Sequence, residues 1–304
     1  MGGQQIGGLS SLGYDKKSKQ LVAASDARRK IGSVLWFFDV DIDKSKKLRV
    51  VPERFVVLEG ASLDVEGLAL ATKNRIFLAY DEANDSSSAS GISCFNKKSG
   101  QKIFSLPLPE IFESKTKSGL QKNRGLESLS LSPDRQILFA ASESPLLQDS
   151  EDGHWAGPIR VLRYDLQSRE TPPRQCVYLP DESSAYNTLV EILALKNGRL
   201  LMLERTLVEN KAPRHVRARV YEVDFFEKNA TPAESIVSLR ETDYTPLSKK
   251  LVFDSEKAHL DDIDNVEGMS FGPTIDKKIS VFLVSDNNFR KDQKTEFLLF
   301  SVRE

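Results

Sequence analysis

One short pattern, met five times along the chain, constrains its fold more than any other feature. The segments Gly7-Gly-Leu-Ser-Ser-Leu-Gly, Glu66-Gly-Leu-Ala-Leu-Ala, Glu127-Ser-Leu-Ser-Leu-Ser-Pro, Glu191-Ile-Leu-Ala-Leu-Lys and Glu267-Gly-Met-Ser-Phe-Gly-Pro start 59, 61, 64 and 76 residues apart. Each alternates large apolar with small side chains, the two-residue period of a strand. The small residues suit a crowded place where several strands converge. A turn signal follows each segment, such as Thr72-Lys-Asn, Asn197-Gly or Pro273-Thr-Ile-Asp. A second apolar strand then ends on a carboxylate: Asp26, Asp81-Glu82, Glu143, Glu204 or Asp286. Further strands, for example 34–40 with 54–58 and 159–164 with 175–179, fill out most units, and only a short turn near 109–114 looks helical.

Four strands repeated about every 60 residues predict an all-β chain, a single β-propeller domain over residues 1–304. Five four-stranded blades are recognisable, and the longer 191–267 interval leaves room for a sixth. The last unit offers only three clear strands. Its fourth is expected from the other terminus, so a segment upstream of residue 1 is expected too.

Repetition converts sequence position into spatial position. Glu66, Glu127, Glu191 and Glu267 open the first strands of their units, with Gly7 in that place in the first; Asp26, Glu82, Glu143, Glu204 and Asp286 close the second strands. In an antiparallel pair the start of one strand lies beside the end of the next, so both sets reach one face of the disc. Four glutamates are then expected around the mouth of the central channel. Carboxylates so crowded repel each other unless a cation or bound protons intervene. Oxygen donors without His or Cys favour a hard ion, Ca²⁺ before Mg²⁺, with Asn265, Asn287 and Asn288 as further oxygen donors. Taken singly, each acid reads as a strut that hydrogen-bonds strand-end amides; taken as a ring, they point to a metal. Arg124 and Arg205, adjoining the motif, suit an anionic ligand, whereas Arg28, Arg29 and Arg290 read as surface charge.

Composition narrows the function classes. Forty-three Lys+Arg against 44 Asp+Glu give a net charge of −1, with no overall pull toward nucleic acid or an anionic surface. Cys94 and Cys176 cannot make a disulfide framework or a four-ligand zinc site, and His154, His215 and His259 show no metal-ligand spacing. No apolar run is long enough to span a bilayer and no signal peptide is visible. Gly268-Met-Ser270-Phe-Gly272 matches a serine-hydrolase motif, but that motif needs a strand followed by a turn into a helix, and here the repeat continues as strand. His259 with Asp261 and Asp262 reads as a solvated loop, Asn84-Asp-Ser86 as an accidental glycosylation triplet, and Trp36 and Trp155 as packing or rim residues.

Asp64-Val-Glu-Gly-Leu-Ala, the run from Asn123-Arg-Gly-Leu-Glu to Asp134, Leu203-Glu-Arg205, Asp264-Asn-Val-Glu-Gly-Met269 and Val284-Ser-Asp-Asn-Asn-Phe289 resemble the phytase-like, esterase-like propeller family over about residues 6–301. Ser128 and Val190-Glu191-Ile192 depart from its Glu-Gly pattern. The resemblance implies a calcium-dependent propeller that cleaves ester or phosphoester bonds in a small anionic or ester substrate. It also implies an exported or organellar precursor. The expected site has Glu204, Arg205 and Arg124 as catalytic groups, and Glu66, Glu127, Glu191, Glu267, Asp26, Glu143, Asp286 and Asn287 around the metal. The expected particle is a monomer. A non-catalytic propeller binding a protein or an anionic metabolite on the same face is the alternative.

Overall fold

The computed structural model describes residues 5–25, 32–60, 63–72, 74–82, 90–167, 173–208, 215–260 and 263–301. Blade 1 runs outward through β1 (Leu9–Asp15), β2 (Gln20–Ser25), β3 (Val34–Ile42) and β4 (Leu48–Val57). Blade 2 comprises β5 (Leu63–Leu70), β6 (Arg75–Glu82), β7 (Ser90–Asn96) and β8 (Lys102–Leu106). Blade 3 comprises β9 (Leu126–Leu131), β10 (Ile137–Ser142), β11 (Ile159–Asp165) and β12 (Arg174–Tyr178). Blade 4 comprises β13 (Tyr186–Ala194), β14 (Arg199–Val208), β15 (His215–Asp224) and β16 (Lys249–Asp254). Blade 5 has three strands among the described residues: β17 (Val266–Phe271), β18 (Ser280–Ser285) and β19 (Phe297–Ser301). All neighbours within blades are antiparallel, and β1, β5, β9, β13 and β17 neighbour each other in a closed ring. The chain is a five-bladed β-propeller, and among the described residues helix is confined to single 3-10 turns such as Glu110–Phe112.

No sixth blade occupies the long interval among the described residues. It holds an excursion over 225–248 that covers the outer edge of blade 3, where Ala233 and Leu247 donate backbone N–H groups to Gln175 and Val177 at 3.0 and 2.8 Å. A buried ion pair fastens it. Arg160 clasps Asp149 at 2.6 and 3.0 Å and donates to the Ala233 carbonyl, while Asp149 accepts from the Leu239 N–H.

Five strands can converge on one axis only if the side chains between them are small. A Cβ on Gly67 would lie 3.0 Å from the Cβ of Leu129, so glycine lets blade 3 close in. Each gap between blades carries its own apolar layer. Val22, Leu35 and Phe37 meet Val65 and Leu78 of blade 2, and Leu9, Leu12 and Trp36 meet Phe282 and Val284 of blade 5. Trp36 is therefore a packing residue. Stability is distributed around the disc rather than held in one core.

The ring of first strands has an inner edge that faces no further strand, so its N–H groups need other partners. Glu191, 1% exposed, meets this need: its carboxylate accepts from Ser11 Oγ at 2.5 Å, from Ile192 N–H at 3.0 Å and Leu129 N–H at 3.3 Å, and from Met269 N–H. Ser11 Oγ in turn accepts from Leu68 N–H at 3.1 Å. One carboxylate and one hydroxyl thereby touch all five first strands. Ser130 and Ser270 make similar bridges, accepting from Ala194 and Tyr14 N–H groups. Ser270 is thus a buried strand residue with its hydroxyl engaged, not an exposed nucleophile.

Glu191→Ala would orphan several buried donors at about 1–3 kcal/mol each. A loss of about 4 kcal/mol is expected in urea unfolding, against roughly 1–2 kcal/mol for Ser11→Ala. Equal, small losses would show that closure does not depend on this carboxylate.

Candidate functional site

The innermost hairpin of every blade slips register by one residue at the same end. The extra residues are Ser10, Glu66, Glu127, Val190 and Glu267, each at a β-bulge, a device that re-aims a side chain. Opposite each bulge the second strand pairs through Ser25, Tyr80, Ser142, Glu204 and Ser285, and in blades 2 to 5 the next residues are Asp81, Glu143, Arg205 and Asp286. Strands β6 and β14 stay paired beyond that point, whereas β10 and β18 end there.

This register differs from the sequence expectation in three blades. Blade 4 sets Val190, not Glu191, among the bulge residues, and Arg205, not Glu204, among the closing ones. Blade 1 sets Ser10 where Gly7 was expected, and blade 2 sets Asp81 where Glu82 was expected. Asp26, with Arg28 and Arg29, lies outside the described residues, as do Asn84–Ser86 and Asp261 with Asp262.

Glu66, Asp81, Glu127, Glu143 and Glu267 share one cup, since Glu127 feels the charge of the other four. Burial first, and then Glu66 and Glu143, push its carboxyl well above the usual carboxylate range. Burial raises Asp81 to about 6, with Asp64 and Glu143 adding to the effect and a hydrogen bond from Ser90 opposing it. A Cβ on Gly125 would collide with both Asp81 oxygens, so glycine makes room for that carboxylate. Burial holds Glu267 at about 7; Arg205 opposes this, while Asp286 and Glu143 add to it.

Among the described residues, Arg205 supplies positive charge to the cup. It is 5% exposed, donates to Glu143 Oε1 at 3.2 Å and Asn265 Oδ1 at 3.0 Å, and is ion-paired with Glu267. Burial alone would lower its pKa, but Glu267 and Glu143 outweigh that, so it stays charged. Thr188 donates to Glu143, and Asn265 to Glu267 at 2.6 Å, so the acids beside Arg205 are held in place. Asp286 accepts from Leu9 and Asn288 N–H groups, joining blade 5 to blade 1.

A wall of larger side chains stands beside Glu143. Tyr186 hydrogen-bonds Glu143 and keeps its proton, its pKa raised by burial and by that carboxylate. Arg124 lies over the Tyr186 ring at 5.5 Å and donates to Gln121 Oε1 and the Gly153 carbonyl. Trp155 meets Tyr186 at 5.3 Å, which makes it a rim residue, and His154 stacks on Trp155 at 5.0 Å. Tyr186 carried no sequence signal. Asp81 did, as a strand-end acid, but one residue of register hid it behind Glu82.

Three expected site residues, Glu204, Glu191 and Asn287, are committed elsewhere. Neighbours along a strand point to opposite faces, and Glu204 points away from the side of Arg205. It is fully buried, accepting from Tyr178 at 2.6 Å and from Asn187 and Lys249 at 2.8 Å each. Glu191 is the central bridge described above. Asn287 shapes the β18–β19 loop, accepting from Phe289 N–H and donating to the Ile6 carbonyl, and Arg290 pairs with exposed Asp292. Among the described residues no three His, Cys, Asp or Glu side chains stand in ready-made metal-binding range.

A family described as Phytase-like, esterase-like activity of phytase, matches residues 4–289. The chain belongs to the phytase-like family. No curated protein matches the sequence. Among solved structures, the phytase-like propeller is similar to a thermostable family-43 glycoside hydrolase, at 11% identity and a TM-score of 0.54 over 98% of this chain and 91% of that one. An endo-arabinase from Bacteroides thetaiotaomicron aligns at 12% identity and a TM-score of 0.46 over 99% and 95% of the two chains. Kuenenia stuttgartiensis hydrazine synthase aligns at 11% identity and 0.42, covering all of this chain and 66% of that one. At such identities the likeness concerns fold alone.

The cup makes stability pH-dependent in a definite direction. A carboxyl whose folded pKa is raised contributes stability while protonated and loses it as pH rises through that pKa. With Asp81 at about 6 and Glu267 at about 7, against about 4 in the unfolded chain, the cation-free melting temperature should fall as pH rises through that range. Calorimetry across it checks this; a melting point that rises instead would contradict the cup's electrostatics.

Proposed function

We propose that this phytase-like propeller is a cation-assisted hydrolase of ester or phosphoester bonds, working at the carboxylate cup. The observation that supports it is the charge imbalance there: four carboxylates gather around Glu127, and among the described residues Arg205 is the cation tied to the same cluster. Such a site favours a hard divalent ion, and the donor set, all oxygen with no His or Cys, fits Ca²⁺. Glu66, Glu127 and Glu143 would hold it, with Asp81 and Asp286 beside them. When bound, the ion supplies charge neutralisation for an oxyanion of the substrate.

The rest of the chemistry falls to side chains of the chain. Arg205, held by Glu143, Glu267 and Asn265, offers a fixed guanidinium to an anionic group or to charge developing in the transition state. Glu267, with a pKa of about 7, is matched to taking a proton from water near neutral pH. Arg124 and Tyr186 flank the entrance and orient the substrate's remaining part. Glu204 contributes only by bracing blade 4.

Nitrophenyl acetate and nitrophenyl phosphate, assayed with Ca²⁺ and with a chelator, test the proposal. Turnover abolished by chelation is expected, with Glu267→Gln lowering it by about a hundredfold or more and Glu204→Gln changing it little. Saturating Ca²⁺, at about a hundred times its dissociation constant, should stabilise the fold by about 2.7 kcal/mol. That corresponds to a rise in melting temperature of several degrees, and Glu127→Gln should shrink it. No turnover and no effect of Ca²⁺ on melting would instead make the cup the binding site of a non-catalytic propeller.

A further inference from the structure

A net charge of −1 conceals a local concentration of lysine on one sector of the disc. The first strands start at the acidic mouth and run to the opposite face, so the turns after β1, β3, β7 and β17 all project from that opposite face. These turns are rich in lysine. The β1–β2 turn carries Lys16, Lys17 and Lys19, and the β3–β4 turn carries Lys44, Lys46 and Lys47. The β7–β8 turn adds Lys97 and Lys98, and the β17–β18 turn adds Lys277 and Lys278. Against these ten lysines the same turns hold three acids, Asp15, Asp43 and Asp276.

Two of those acids tie the turns together. Lys97 of blade 2 pairs with Asp15 of blade 1 at 2.8 Å, and Lys46 of blade 1 with Asp276 of blade 5 at 2.6 Å. The remaining eight lysines are exposed on three adjacent blades. Higher up the β3–β4 hairpin the acids are matched: Asp41 stands opposite Arg49, Glu53 lies beside Arg54, and Asp39 accepts from Gln20. Within the patch, next to Lys278, Ile279 is 52% exposed.

We infer that this lysine face docks the propeller on an anionic lipid surface, leaving the acidic mouth open to water. Lysines from separate turn tips spread charge over a face rather than along a groove, which suits a plane of headgroups. An exposed isoleucine among them suits shallow entry into that plane. The described residues of these turns include no aromatic side chain on which bases could stack and no arginine fork for reading phosphates, so a lipid surface fits better than a nucleic acid.

Sedimentation with phosphatidylcholine vesicles, with and without about 30 mol% phosphatidylserine, tests the inference. Binding should require the anionic lipid and weaken steeply as salt rises from about 0.05 to 0.5 M. Each Lys→Ala change in the patch should weaken it roughly fivefold, and the combined variant Lys16→Glu, Lys17→Glu, Lys44→Glu, Lys47→Glu should abolish it at unchanged melting temperature. Ile279→Trp should show a blue-shifted emission with anionic vesicles alone. Failure to bind, equal binding to neutral vesicles, or retention by the charge-reversed variant would overturn the inference. So would tight binding of a duplex oligonucleotide by a protein that ignores vesicles. None of these outcomes depends on catalysis at the mouth.

Discussion

The constraint on which the rest of the structure depends is the convergence of five strands on one axis. Each brings an inner edge that pairs with nothing inside its own blade. Backbone N–H groups left dry at that edge would each cost a substantial fraction of the protein's stability. The chain answers with a few polar side chains placed between blades: the Glu191 carboxylate and the hydroxyls of Ser11, Ser130 and Ser270. Crowding at the axis explains why the first strands are built of Gly, Ala and Ser between their large residues. The apolar layers between blades could then be supplied by ordinary Leu, Val and Phe.

The same convergence creates the site. Every first strand carries a bulge on its mouth side, and at three of the five the extra residue is a glutamate of the cup. The second strands return to the same end and deliver Asp81, Glu143 and Asp286. This arrangement gathers more negative charge than burial tolerates, so Glu127, Asp81 and Glu267 are pushed above the usual carboxylate range. Blade 4 breaks the repeat twice, with Val190 at the bulge and Arg205 at the closing position. That break gives the cup a positive side, because Arg205 reaches Glu143 of blade 3 and Glu267 of blade 5. A five-fold pattern becomes a polar site only through the blade that departs from it.

Charge is also unevenly placed on the disc. Carboxylates collect at the mouth and lysines at the opposite turns of blades 5, 1 and 2, although the totals nearly cancel. Composition averages over position, and only the antiparallel path of the chain assigns each charge to a face.

Much of this was legible in the residues alone. The five-fold recurrence of alternating large and small residues, each followed by a strand closing on an acid, determined an all-β propeller of five or six blades and the end of it that carries carboxylates; the structure set the number at five. The family followed from the same segments. Glu66, Glu127, Glu267, Glu143 and Asp286 lie where repetition put them. What the tertiary structure alone decided is register. A bulge inserts one residue without any mark in composition, and a shift of one reverses which face a strand residue occupies. For that reason Glu191 passes from the mouth to the axis and Glu204 from the site to a buried brace, while Asp81 and Arg205 take the closing positions. Tyr186 and Trp155 enter the rim from a strand start and a loop whose placement depends on packing between blades, and local sequence carries no record of that packing.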